Sequence, residues 1–167
     1  MIKIITVAIL SDTHIRKNFD KIKPFLENKL NDIDFIIHAG DFTNPELLPY
    51  LKTNYKVIGV SGNNDKEKTR GLLNEKEIFT LENYKIGIYH GHGIFKNTLD
   101  NVLDVFKNDD LDIIIFGHSH KPFLTTKNNI LIINPGSPTS KRKERFFSYI
   151  RLTLSESTIN VSFDFFS

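Results

Sequence analysis

Cysteine is absent from this sequence, which excludes disulfides and thiolate metal sites, so any bound metal must be held by nitrogen and oxygen ligands. Long apolar runs are also absent. Stretches such as 113–116 are far shorter than the roughly 20 residues that a membrane-spanning helix needs. No small-residue cleavage site separates the apolar N-terminus from the polar segment 11–14. We therefore predict a cytoplasmic protein with no signal peptide and no membrane partner.

An excess of one charge sign is lacking as well. The 22 Lys and Arg residues nearly balance the 20 Asp and Glu residues, which leaves a net charge of +2. A dedicated nucleic-acid-binding protein carries a stronger basic field, so nucleic acid is not the partner that we expect. The length of 167 residues suits one domain over residues 1–167, and 40% hydrophobic residues are typical of a globular chain.

Apolar and helix-periodic segments alternate along the first two thirds of the chain. Helices are predicted around 22–30 and 45–51, and a third with Thr98 as its N-cap. Antiparallel hairpins are predicted at 122–134 and 145–165. Strands are predicted at 2–10, 34–38, 56–60, 77–82, 84–90 and 112–117. Strands that alternate with helices, followed by hairpins, favour an α/β fold of two layered sheets with helices outside.

Metal-capable polar residues follow the carboxyl ends of almost all these strands. In open α/β sheets, loops that bind ligands converge at this edge. Residues at i and i+2 on extended backbone point to the same side, so each Asp-x-His or His-x-His pair can offer two ligands to one cluster. The residues concerned are Asp12, His14, Asp41, Asn63, His90, His92, His118 and His120.

Each of these features alone has an ordinary structural interpretation. An isolated Asp-x-His in a loop is common, and an Asn after Gly usually marks a turn. His38 lies inside an apolar strand, and we interpret it as a hydrogen-bonded core histidine rather than a ligand. The joint pattern favours metal binding, because five of six histidines, with Asp12, Asp41 and Asn63, all terminate predicted strands.

At this point the chain resembles the calcineurin-like metallophosphoesterases, and among them the small YfcE-type phosphodiesterases. The family carries D-x-H, G-D, G-N, H and G-H-x-H blocks in this order. They match Asp12-Thr-His14, Gly40-Asp41, Gly62-Asn63, His90 and Gly117-His118-Ser-His120, and segment 134–138 resembles the family pattern after the last block. The resemblance implies a four-layer α-β-β-α sandwich of two mixed sheets flanked by helices.

The resemblance also implies a ligand set for two divalent transition metals. Asp12, His14 and His120 would hold one metal, with Asn63, His90 and His118 holding the other, and Asp41 would bridge both. Imidazoles with carboxylate and amide oxygens suit Mn, Ni, Zn, Fe or Co, and the resemblance favours Mn. The implied reaction is hydrolysis of a small-molecule phosphodiester by a metal-bridging hydroxide, in which Asp41 is catalytic as well as a ligand.

The chain departs from many superfamily branches after Asn63. There a histidine helps to protonate the leaving group, whereas this chain has Asn64, as in the YfcE-type branch. An asparagine cannot act as a general acid, so leaving-group assistance is weak or comes from elsewhere. His92 is a candidate for this role, and an orienting role beside His90 is the alternative. Asn64 and His92 therefore join Asp41 as candidate catalytic residues.

Other interpretations stay open at this stage. The basic run 141–145 is compatible with contact to a substrate phosphate and with a solvated turn. A relative of this family serves as a retromer subunit, so a non-catalytic scaffold is one alternative, and a nuclease is another. Known nucleases of this type are longer. Phe163 and Phe165 have the i, i+2 spacing of a core face, and the 14 phenylalanines leave a homodimer open.

Overall fold

The computed structural model describes residues 3–167, which form ten strands and four helices. The strands are β1 (Ile5–Leu10), β2 (Phe35–His38), β3 (Lys56–Gly59), β4 (Lys76–Leu81), β5 (Tyr84–Tyr89), β6 (Ile113–Ile115), β7 (Pro122–Lys127), β8 (Ile130–Pro135), β9 (Phe147–Leu154) and β10 (Ile159–Phe166). The helices are α1 (Lys23–Lys29), α2 (Leu47–Asn54), α3 (Glu67–Arg70) and α4 (Thr98–Val105). The predicted first strand began at residue 2, which lies outside the described residues.

The strands form two mixed five-stranded sheets. The first has the order β10-β9-β1-β2-β3, and the second has the order β4-β5-β6-β8-β7. In the first sheet β1, β2 and β3 are parallel, with Val7 opposite Phe35 and Ile36 opposite Val57. In the second sheet β5, β6 and β8 are parallel. Each sheet therefore presents three parallel strand ends, and the loops that follow them can meet.

The side chains of the central strands are buried on both faces, which explains their continuous apolar sequences. Along β1, Val7 and Ile9 pack between the sheets with residues such as Ile115 of β6. Ala8 and Leu10 face outward, where α1 and α2 cover the first sheet. Helix α4 covers the outer face of the second sheet through Val102. This arrangement confirms the predicted sandwich of two mixed sheets with helices outside.

Several local predictions need correction. The N-cap of α4 is Asn97 rather than Thr98, because the Asn97 side chain accepts a hydrogen bond from the Leu99 amide at 3.0 Å. Helix α3 was not predicted, since four residues are too few to show a periodicity. Phe163 packs against the core between the sheets, whereas Phe165 is 53% exposed near the end of edge strand β10. Among residues 3–167, no helix combines the length and apolar character that crossing a bilayer requires.

Candidate metal centre

The candidate ligands lie where the parallel strands of both sheets end. Five of them have positive φ angles in the left-handed region: Asp12 (55°), His14 (45°), Asp41 (61°), His118 (67°) and His120 (60°). This conformation is unfavourable for residues other than glycine, by about 1–3 kcal/mol each, and persists only where the surroundings enforce it. The backbone therefore turns sharply at these positions, and the surrounding structure offsets the cost.

Two groups of ligand atoms converge at this edge. Asp12, His14 and His120 form one group, and Asp12, Asp41 and His90 form the other; within each group the candidate atoms lie within 4.8 Å of one another. His14 Nε2 lies 3.1 Å from His120 Nε2 and 3.4 Å from Asp41 Oδ2. The Nε2 atom of His90 lies 3.2 Å from the same Asp41 oxygen. The structure thus brings together the five Asp and His residues of these two groups.

Hydrogen bonds to the other ring nitrogen orient three of the imidazoles. His90 Nδ1 donates to the Ala39 carbonyl at 2.7 Å, and His120 Nδ1 donates to the Ser140 carbonyl. When each ring is neutral, these bonds keep its proton on Nδ1 and leave the Nε2 lone pair for a cation. His14 Nδ1 contacts Thr43 Oγ1 at 3.2 Å. In each case Nε2 is the nitrogen that faces the centre.

The donor atoms at the centre fit divalent cations. Asp12 Oδ1 and His90 Nε2 are fully buried and have no hydrogen-bond partner among the described residues. Leaving such groups unpaired costs about 1–3 kcal/mol each, so they need a cation or water as a partner. Burial lowers the pKa of His118 and His120, which favours the neutral imidazole that can act as a ligand. Nitrogen and oxygen donors of this kind suit Mn, Fe, Co, Ni or Zn.

Asp41 is held by its neighbour Asn64. The Asn64 backbone N–H donates to Asp41 Oδ1 at 2.9 Å, and the Asn64 amide Nδ2 donates to Oδ2 at 2.7 Å. Burial alone would raise the pKa of the Asp41 carboxyl, but the adjacent His90 and Asn64 hold it well below its usual range. Asp41 is therefore ionised at neutral pH, and the described contacts give Asn64 a role in positioning it.

Asp65 is a site residue that the sequence analysis missed. Its side chain is buried, and Oδ2 accepts hydrogen bonds from the backbone amides of Asp41 (3.0 Å) and Gly62 (2.8 Å). Oδ1 accepts a third from the Thr43 amide at 2.8 Å. Burial raises the pKa of this carboxyl, and the three amides counteract that effect. Asp65 thus joins the loop after β2 to the loop after β3, and no sequence motif marks this function.

We expect Asp65→Asn to destabilise the metal-free fold by about 1–3 kcal/mol, because an amide cannot accept hydrogen bonds at both of these positions. Metal affinity should fall about 10- to 100-fold, since Asp65 orients the backbone of Asp41. Urea unfolding and metal titration would measure both effects. The control is Asp34→Asn, which alters an exposed carboxylate that accepts one amide hydrogen bond, from Thr6, at 2.8 Å. Equal effects of the two substitutions would contradict this role.

One buried hydroxyl group and one buried amide group form hydrogen bonds with the ligand loops, although they are distant from these loops in the sequence. Ser137 Oγ donates to the Asp12 carbonyl at 2.8 Å, across 125 residues of sequence. Asn134 Nδ2 donates to the Gly117 carbonyl at 2.8 Å and to Ser119 Oγ at 3.1 Å. The segment around β8 therefore supports the loops on both sides of the centre.

The other predicted residues lie outside the two converging groups. The His118 ring is half-buried, 5.2 Å from the His90 ring, and its backbone amide donates to Asp12 Oδ2 at 2.9 Å. His92 lies 5.8 Å from His90, between ring centroids; its Nδ1 is buried without a partner among residues 3–167, and burial lowers its pKa. Asn63 is exposed after β3, and its carbonyl accepts a hydrogen bond from Arg70 at 2.8 Å.

The prediction for His38 is confirmed. This histidine is fully buried, its Nδ1 accepts from the Gly40 amide at 3.2 Å, and its Nε2 contacts Thr13 Oγ1 at 3.1 Å. Burial lowers its pKa to about 3, so it is neutral at physiological pH. Both ring nitrogens are occupied, which leaves His38 no free lone pair for a metal.

Comparison with known proteins agrees with this geometry. A domain model of the calcineurin-like phosphoesterase superfamily matches residues 5–157. A probable metallophosphoesterase of Methanocaldococcus jannaschii is 35% identical over 137 residues, which cover 81% of this chain and 69% of the relative. A phosphodiesterase of the same organism is 29% identical over 145 residues, which cover 78% of this chain and 82% of the relative. A conserved Streptococcus pneumoniae protein, described as a predicted phosphoesterase, has a solved structure that is similar with a TM-score of 0.73 and 25% identity, covering 96% and 89%.

Proposed function

Since this chain belongs to the calcineurin-like phosphoesterase superfamily, we propose that it is a phosphodiesterase that uses two divalent cations. The observation that carries this proposal is that the buried atoms Asp12 Oδ1 and His90 Nε2 make no hydrogen bond with any of residues 3–167. They lie 3.8 Å apart beside further imidazoles that face the same point. A bound cation would compensate these buried groups, and the family membership favours catalysis over a metal-binding scaffold.

We assign the ligands in two sets. Asp12, His14 and His120 would hold one cation, and Asn63, His90 and His118 the other. We give the bridging role to Asp41, because its Oδ2 lies near Nε2 of His14 (3.4 Å) and Nε2 of His90 (3.2 Å), one histidine from each set. Asp12 Oδ1 lies farther from the same two nitrogens, at 3.8 Å from each.

When bound, a pair of divalent cations lowers the pKa of a shared water towards neutrality and stabilises negative charge on the phosphoryl oxygens. Asp41 and Asp12 offset part of the cationic charge and keep the ligand geometry. Asn64 holds Asp41 in place through two hydrogen bonds. His92 lies at the edge of this centre, where it can either donate a proton or orient His90. We propose manganese as the assay metal and a small-molecule phosphodiester as the substrate class.

The absence of a strong proton donor leads to an expected substrate preference. Asn64 cannot protonate a leaving group, so good leaving groups should be favoured. We expect the manganese-loaded protein to hydrolyse 4-nitrophenyl phenyl phosphate about 100-fold faster than phenyl phosphate, a monoester with a poorer leaving group. Release of 4-nitrophenol and of inorganic phosphate measures the two rates. A third substrate, 4-nitrophenyl phosphate, separates the effect of the leaving group from that of the second ester. Comparable rates on all three would contradict the missing-acid argument.

Three further predictions from the sequence stay proposals. They are a single domain over residues 1–167, a cytoplasmic location and a homodimer.

A further inference from the structure

A cleft of about 700 Å³ opens beside the candidate metal centre. Its lining includes His14 and Asn64, which both contact the Asp41 carboxylate. Its volume falls in the range of small-molecule sites and exceeds what a single phosphate group fills. The cleft therefore has room for a substrate that extends well beyond the phosphorus atom.

Four cationic side chains also line this cleft: Arg16, Lys17, Lys21 and Arg142. No carboxylate among residues 3–167 lines it with them. The carboxylate in the same loop, Asp20, accepts a hydrogen bond from Asn18 at 2.6 Å instead. These cations come from two separate segments, the loop after β1 and the loop after β8, so the fold assembles the charge and no single basic run accounts for it.

Six basic residues elsewhere in the described structure form ion pairs with carboxylates. Ion pairs join Lys29 to Asp164, Lys76 to Asp109 and Arg151 to Asp32. Within the described part of the chain, none of the four cleft cations has a carboxylate partner. All four are exposed. Unneutralised cations around a concave surface raise the local concentration of anions and orient them.

We infer that the substrate carries a second anionic group, separate from the phosphodiester that is cleaved, and that these four cations bind it. This inference rests on the proposed function, because it takes the metal centre as the place of cleavage. A phosphate or a phosphonate on the same molecule would meet the chemical requirement, since both are dianions that accept hydrogen bonds from Arg and Lys.

The test compares how tightly two monoesters bind to the manganese-loaded protein. Phenyl phosphate carries one anionic group, and 4-(phosphonomethyl)phenyl phosphate carries a second that cannot be hydrolysed. By calorimetry at low ionic strength, we expect the phosphonate compound to bind about tenfold more tightly, and this advantage should shrink as salt is added. Binding is measured directly, so the result does not depend on turnover.

Charge-neutralised variants locate the effect. In Lys17→Gln/Lys21→Gln and in Arg16→Gln/Arg142→Gln, the advantage should fall below about threefold, because half of the cleft cations are lost. The matched control is Lys85→Gln/Lys127→Gln. It removes two exposed lysines that do not line the cleft, one at the start of β5 and one at the end of β7, and it should keep the full advantage. Equal binding of both compounds by the unaltered protein, or an advantage that survives in both cleft variants, would overturn the inference. Failure to hydrolyse any phosphodiester would instead refute the proposed function, and the difference in binding between the two monoesters could still be measured.

Discussion

Asp41→Asn should lower the turnover of an aryl phosphodiester by about a thousandfold or more, and it should remove most of the bound metal. The reason is that Asp41 Oδ2 lies 3.4 Å from Nε2 of His14 and 3.2 Å from Nε2 of His90, between the two proposed ligand sets. An amide keeps the shape of this side chain but removes its negative charge. It also places a donor group opposite the donating Asn64 side chain.

Metal content by elemental analysis and turnover under saturating substrate would measure this effect. Asp112→Asn is the matched control, because it alters an exposed carboxylate that accepts a backbone hydrogen bond from Lys85 at 2.7 Å. Circular dichroism would establish that both variants fold. An Asp41→Asn protein that keeps its metal and its activity would refute the bridging role of Asp41.

Gly62→Ala should have the second largest effect, lowering the free energy of unfolding by about 2–3 kcal/mol. A Cβ atom at this position would lie 2.5 Å from the Asp41 backbone nitrogen and still closer to Asp41 Oδ1. Both atoms are held in place, since the Asp41 backbone amide donates a hydrogen bond to Asp65 and the Asn64 amide donates one to the Asp41 carboxylate. The loop must therefore move away from Asp41, and we expect about a hundredfold loss of turnover from the displaced ligand.

Gly71→Ala provides the control for this substitution. Gly71 follows α3 as its C-cap, with a φ of −71°, and the nearest atom to an added Cβ, the Glu67 carbonyl oxygen, lies 3.4 Å away. An alanine should fit there with a change in the free energy of unfolding within about 1 kcal/mol. Urea denaturation of the metal-free variants compares the two sites. Similar effects at Gly62 and Gly71 would show that the close approach to Asp41 is unimportant.

Much of the fold could be predicted because the central strands are recognisable as continuous apolar segments of the sequence. Strands β1 and β2 are buried on both faces, so Val7 to Leu10 and Phe35 to Ile37 are continuously apolar. The candidate ligands follow these strands directly, and their order along the chain reflects the order of the loops. Local sequence therefore contains both the element and the residue that it positions.

The interactions that hold the ligands in place could not be predicted in the same way. Asp65 accepts hydrogen bonds from three backbone amides. Because backbone amides occur whatever the side chains are, the sequence does not mark them as the partners of Asp65. Ser137 reaches the Asp12 carbonyl from 125 residues away, so only the assembled sheets bring them together. Adjacent capping residues posed a smaller problem, since Asn97 and Thr98 are both good N-caps and the structure uses Asn97.

The most direct test of a metal-dependent phosphodiesterase is turnover of bis(4-nitrophenyl) phosphate by metal-stripped protein to which Mn²⁺, Ni²⁺, Zn²⁺ or Mg²⁺ is returned singly. We predict no turnover without metal, recovery with Mn²⁺ and loss again when a chelator is added. Turnover that persists in excess chelator, or no turnover with any of these metals although two are bound per chain, would contradict the proposed function.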